Sequence, residues 1–373
     1  MRTVAGVLGV ALLLTTVASV LRTLVLPRGL TSRLVSSLWW FWRAILRALA
    51  GRSHSYELRD RLLAWHAPFV LVTTLLGWLA GMFAGYALLT YATSHLPLRA
   101  SLREAGSSLF TLGFASTDRL NLTAIDFAAA ASGPLVIALQ ISYLPTLYAA
   151  YNRRETEVTL LQSRAGEPAW GPELLARQAL VGTVGALGEV YGGWERLAAD
   201  IGESHANYPI LLTFRSPQPY RSWLVGLLTV MDGAAMHLAL APNSAPPQAR
   251  LVLRAGFTAL RDIARAARIP FDPDPYPDAR LQLAYEDFSA GVKRAVEAGF
   301  TAERSVEDAW PHFRGWRVNY ESIAYELARR IDAVPALWSG PRDWPADEIG
   351  TRRPPHRRPD APDVAYPGDA ALD

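Results

Sequence analysis

The chain has 373 residues, half of them hydrophobic, and a formal net charge of +3. It contains no cysteine, which excludes a disulfide framework and a Cys-ligated metal site. A charge this small gives no support for a nucleic-acid partner, and the length allows two structural units. The first 150 residues are rich in Leu, Val, Ala and Trp, whereas the remainder has the composition of a soluble domain.

Three uncharged apolar stretches, at 4–21, 67–91 and 127–151, approach or exceed the roughly 20 residues that a membrane-spanning helix needs. The first predicts a transmembrane helix within residues 1–26. A cleaved signal peptide over residues 1–25 is the alternative, but the charged region before it is minimal and the cleavage site is poor.

Residues 27–66 are predicted to form a cytoplasmic loop, because loops rich in arginine stay on that side of the membrane. Within it, residues 32–52 predict an amphipathic helix at the membrane interface, with several tryptophans beside two arginines. Its predicted apolar face consists of Leu34, Leu38, Phe41, Ile45 and Leu49. Arg153 and Arg154 follow the third span, so we expect a cytoplasmic C-terminus and an external N-terminus in the plasma membrane.

The external connection between the second and third spans is not a featureless linker. Residues 101–110 predict a helix too short to span, and Thr111, Leu112, Gly113, Phe114 and Ala115 follow it directly. Non-helical backbone at membrane depth is tolerated where it is buried in protein or lines a watery cavity. A short helix and a Gly-containing loop fit such a re-entrant element.

The sequence Thr111-Leu112-Gly113-Phe114-Ala115 resembles the Thr-Val-Gly-Tyr-Gly selectivity filter of potassium channels. Over residues 67–150 the chain is similar to bacterial potassium-channel-family proteins with a two-helix pore domain. The resemblance implies that backbone carbonyls of these five residues, with the Thr111 hydroxyl, bind a permeant cation, K⁺. One pore loop per chain implies a homotetramer. No other cofactor is expected.

The sequence departs from that filter at several positions. Ala115 stands where the family has its last glycine, which predicts a strained backbone there. Phe114 replaces a tyrosine, and Ser116 stands where an Asp usually follows, with Asp118 two residues later. These departures predict a degenerate filter and leave a non-conducting membrane scaffold or sensor as an alternative.

The third span carries Gly133 and Pro134, which resemble the gating hinge of channel inner helices. Gln140 lies on the same helical face as Gly133 and is expected either to line the cavity or to bond a neighbouring helix. The second span carries a face of small residues, expected to pack against the inner helix or a neighbouring subunit. That face consists of Gly77, Gly81 and Gly85.

Residues 151–350 predict a mostly helical cytoplasmic domain of unknown ligand, and residues 351–373 a disordered tail. Helices are predicted near 156–163, 172–202, 222–240, 247–268, 278–299 and 317–332. The stretch 223–241 is apolar enough to span, but Asp232 and His237 favour a buried helix of the soluble domain.

The predicted fold is therefore an all-α membrane protein with a re-entrant pore helix, a filter loop and a helical soluble domain. The expected function is that of a cation channel that conducts K⁺, and not that of an enzyme. A membrane-anchored enzyme remains the third hypothesis, although no nucleophile–base pair and no metal constellation stands out in the sequence.

Overall fold

The computed structural model describes residues 1–26, 32–53, 55–115, 120–344 and 347–352. Over these residues the chain is helical and has two isolated β-bridges but no strand, which confirms the all-α prediction for this part of the chain. Four helical segments in the same residues are long and apolar enough to cross a membrane. The chain divides into two compact units, and each is described by itself.

Unit 1 comprises residues 1–52 and 62–149. Two helices cross its boundaries: α3 passes from unit 2 into unit 1, and α6 passes from unit 1 into unit 2. The helices in chain order are α1 (Arg2–Val20), α2 (Arg33–Ala50), α3 (Tyr56–Leu63), α4 (His66–Thr93), α5 (Leu98–Leu109) and α6 (Leu120–Ala165). A single π-helical turn, Leu21–Val25, extends α1.

Small residues bring α1 and α4 into close contact. An ideal Cβ on Gly81 would lie 2.6 Å from Thr16 Oγ1, and one on Gly85 would lie 2.7 Å from Leu13 Cγ. The small-residue face of the second span therefore packs against α1, and Gly77 faces Leu34 of α2. The expectation that this face meets the inner helix or another subunit is wrong.

Helix α2 begins where Ser32 accepts a hydrogen bond from the Val35 amide at 3.3 Å, an N-cap. Its buried positions are Leu46 and Ala50, whereas Phe41 and Leu49 are exposed. Phe41 and Leu49 of the predicted apolar face therefore do not pack within unit 1, and the interfacial role of α2 stays a prediction. The indole of Trp42 donates to Thr73 Oγ1 of α4 at 3.0 Å, so the face of α2 that carries Trp42 is the one that packs on α4.

Unit 2 comprises residues 53–61 and 150–373, of which the described part ends at 352. After α6 its helices are α7 (Gly171–Leu180), α8 (Leu187–Asn207), α9 (Trp223–Leu240), α10 (Gln248–Ala266), α11 (Tyr285–Glu297), α12 (Val306–Arg317) and α13 (Glu321–Ile331). The helix predicted over 172–202 is broken, because Gly182 adopts a φ of +70° and ends α7. The predicted helix 278–299 begins only at Tyr285.

The apolar helix α9 is the centre of unit 2, and all 18 of its residues are buried there. Its Asp232 forms a buried ion pair with Arg317 and accepts a hydrogen bond from Tyr320 at 2.8 Å. Arg317 also pairs with Glu321 at 2.6 Å. A charge with this many partners suits a protein interior better than lipid, in agreement with the buried-helix interpretation.

Residues 53–61 belong to unit 2, although the sequence assigned the whole of 27–66 to a separate loop. Asp60 forms an ion pair with Arg215, and Tyr56 and Tyr220 stack with ring centroids 6.1 Å apart. At the other end of the chain, the Arg352 amide donates to Glu167 O at 2.8 Å, so the described start of the predicted tail is held in place. Residues 353–373 lie outside the described residues.

Candidate pore loop

The loop at 111–115 begins with a helix-ending motif at the end of α5. The Thr111 amide donates to Ser108 O at 3.0 Å, and the Leu112 amide donates to Ser107 O at 2.7 Å. Thr111 adopts a φ of +55°, so these bonds form a Schellman motif with Thr111 at the left-handed position. Glycine usually occupies that position, because a side chain with a Cβ is strained there.

The strain that the sequence predicted at Ala115 is therefore found elsewhere. The described residues other than glycine with a positive φ are Thr111, Arg268, Asp332 and Trp338, and Ala115 is not among them. Gly113 does require its conformational freedom, with a φ of +73° and nothing within 4 Å of an ideal Cβ. The prediction of strain at Ala115 is wrong. The unfavourable positive φ occurs instead at Thr111, where α5 ends.

Ser107 fastens the far end of the loop to α5. Its buried hydroxyl donates to Ala115 O at 3.1 Å and accepts from the Ala115 amide at 3.0 Å. The adjacent Ser108 donates to Asp126 Oδ1 of α6 at 2.6 Å. Sequence reasoning missed both serines as positioning residues. The pair of hydroxyls at the end of a short helix was the available signal. Ser116 and Asp118 lie outside the described residues.

Gly133 allows α6 to cross the last turn of α5. An ideal Cβ on Gly133 would lie 2.1 Å from Leu109 O, a separation that no side chain can occupy. The glycine is thus a close-packing position in unit 1. The described helix continues through Pro134 and Pro145, both on its exposed side. The hinge role of Gly133 and Pro134 stays a prediction.

Gln140 lies on the inward side of α6, together with Gly133 and Val136. It is only 6% exposed, and its Oε1 atom has no hydrogen-bond partner in the described chain. In a single chain Gln140 therefore faces the interior of unit 1. The open side of α6 carries apolar groups instead, including Phe127, Leu135 and Ile141. The cavity role of Gln140 stays a prediction.

The loop itself presents apolar side chains and free backbone. Leu112 and Phe114 are 62% and 55% exposed, and the Arg103 guanidinium lies 5.3 Å from the centroid of the Phe114 ring. Within the described residues, no donor bonds the carbonyl groups of residues 111–114. Carbonyl oxygens of this kind can bind a cation or water but offer no general acid, base or nucleophile.

No group of three or more potential metal-ligating side chains occurs in the described residues. In comparisons with known proteins, no family model, no curated protein and no solved structure matches the chain.

Proposed function

We propose that this chain is one subunit of a homotetrameric cation channel in which residues 111–115 line the ion pathway. The observation that carries the proposal is that residues 111–114 are exposed and that their carbonyl groups accept no hydrogen bond from the described chain. They follow a short helix and lie between two helices apolar enough to span a membrane.

Carbonyl groups at membrane depth need a partner, and a permeant cation supplies one. K⁺ suits a ring of carbonyl oxygens, and a ring requires loops from several chains. The exposed apolar side chains near the loop, Phe110 and Leu112, would be covered by neighbouring copies in such a ring. K⁺ is the substrate in this proposal.

The chain segments that make up unit 2 support the proposed topology. Residues 53–61 and residues 150–352 pack in one unit, so both would lie on the same side of a bilayer. The chain between these two segments must then cross the bilayer an even number of times. Helix α4 and the first part of α6 would supply two crossings. The arginines assign that side to the cytoplasm, which leaves the N-terminus outside if α1 spans.

Potassium flux into liposomes containing the purified protein tests the proposal. Wild type should admit K⁺, and Gly113→Ala should abolish the flux because alanine disfavours the positive φ. Gly182→Ala is the matched control, since Gly182 has a φ of +70°, also has open space around it and lies in unit 2. Native mass measurement should give four chains. A stable monomer or dimer would exclude the mechanism.

A non-conducting membrane scaffold is the second candidate, and one observation favours it. Ser107 occupies both the amide and the carbonyl of Ala115, so the fifth carbonyl of the expected filter is engaged within the chain. An intact tetramer that admits no K⁺ would select this candidate.

A further inference from the structure

Two segments of unit 2 lead into unit 1. One is α3, which ends at Leu63 and is separated by only two residues from α4, which begins at His66. The other is the part of α6 that starts at residue 150. A short segment at 211–215, which we call the hub segment, contacts both of them inside unit 2.

The contact with α6 is made through a buried arginine. Arg154 is fully buried and donates to Leu211 O at 3.1 Å and to Phe214 O at 2.8 Å. One turn earlier, the Tyr151 hydroxyl donates to Arg215 O at 3.2 Å. The hub segment thus supplies three carbonyl acceptors to the first residues of α6 in unit 2.

The contact with α3 is made by the side chain of Arg215. Its guanidinium pairs with Asp60 and donates to the Tyr56 hydroxyl at 3.0 Å. The same side chain donates to Ile331 O and Asp332 O, both at 2.8 Å, at the end of α13. Its side chain is 11% exposed, so its charge depends on these partners rather than on water.

We propose that the hub segment is a coupling element through which unit 2 sets the positions of both chain segments that lead into unit 1. If α3 shifts, the buried Arg215 guanidinium loses a partner and must move to find another, which changes the position of the hub segment. Because Arg154 is hydrogen-bonded to carbonyls of the hub segment, the position of α6 changes with it. The consequence for opening a pore rests on the proposed function. The coupling itself does not.

Hydrogen exchange of the full chain in lipid nanodiscs tests the coupling. Asp60→Asn removes the charge that Arg215 pairs with, and in the described residues Asp60 has no hydrogen bond or ion pair with α6. We expect about tenfold faster exchange of the α3 amides and, equally, faster exchange of the amides at 151–156. Arg153→Gln is the matched control, because the exposed Arg153 lies on α6 but pairs with Asp200 at 2.9 Å and not with the hub segment. It should accelerate neither set.

Faster exchange confined to α3 in Asp60→Asn would overturn the proposal, because the two segments would then respond independently. Tyr56→Phe provides a milder perturbation of the same contact and should show the same paired response if Asp60→Asn does not fold. If the protein conducts, Asp60→Asn should change the open fraction of single channels and Arg153→Gln should not. If it does not conduct, the exchange measurement still decides the coupling.

Discussion

Replacing Gly133 by alanine should destabilise unit 1 at the crossing of α5 and α6. The new Cβ would lie 2.1 Å from Leu109 O, whereas real Cβ atoms essentially never come within 3.0 Å of such an atom. The helices must therefore separate by roughly 1 Å, an overpacking that costs about 1–3 kcal/mol of unfolding free energy. Leu109 is 1% exposed and lies beside the Ser108–Asp126 hydrogen bond, so the loop should be displaced too.

The control for this prediction is Gly77→Ala in α4. There the new Cβ would meet Leu34 Cδ2 at 3.3 Å, and the end of a leucine side chain can move aside. Both substitutions gain about 1 kcal/mol of helix propensity. The difference between their unfolding free energies therefore measures the cost of the contact between the new Cβ and Leu109 O. Denaturant titration of the protein in detergent micelles measures that difference. Equal midpoints for the two variants would refute the packing argument. Altered channel opening at unchanged stability would support the hinge role instead.

Three further outcomes are expected. Thr111→Gly should stabilise the protein by about 1 kcal/mol in a thermal melt, because glycine relieves the strain of the left-handed backbone. Ala115→Gly should not raise the stability. A higher stability of Ala115→Gly alone would contradict the assignment of the strain to Thr111. Ser107→Ala should remove both hydrogen bonds to Ala115 and accelerate exchange of the Ala115 amide, at a cost of about 1–2 kcal/mol, and an unchanged exchange rate would exclude the fastening role. Burial, and then the neighbouring Arg154 guanidinium, hold the pKa of His205 well below its usual 6.5. As the pH drops below 6.5, the histidine is therefore protonated in the unfolded chain but not in the folded protein. The free energy of unfolding should then decrease by up to about 1.4 kcal/mol for each pH unit. His205→Gln should flatten that dependence, and an identical slope in the variant would disprove the assignment.

The long apolar helices could be predicted because each is a continuous uncharged run, and α5 because its length and position stand out between two such runs. The location of strain could not be predicted, since it depends on Thr111 ending α5 rather than on the identity of residue 115. The inward face of α2 was ambiguous because Phe41 and Trp42 are adjacent and both are apolar.

The membership of residues 53–61 in unit 2 was beyond sequence reasoning for a different reason. It depends on Asp60 and Arg215, which are 155 positions apart in the chain. No local pattern marks a partner at that separation. The same limit applies to Gly133, whose proximity to Leu109 O depends on how two helices cross.

Because the chain has no cysteine, the central claim can be tested with a single introduced thiol. Leu112→Cys places that thiol at an exposed loop position, and a membrane-impermeant, positively charged thiol reagent would then meet it in the ion pathway. The account predicts that the reagent abolishes the potassium current of Leu112→Cys and leaves wild type and an exposed α8 control, Ala199→Cys, unaffected. A current from Leu112→Cys that persists after confirmed labelling of the thiol would contradict a pathway lined by residues 111–115.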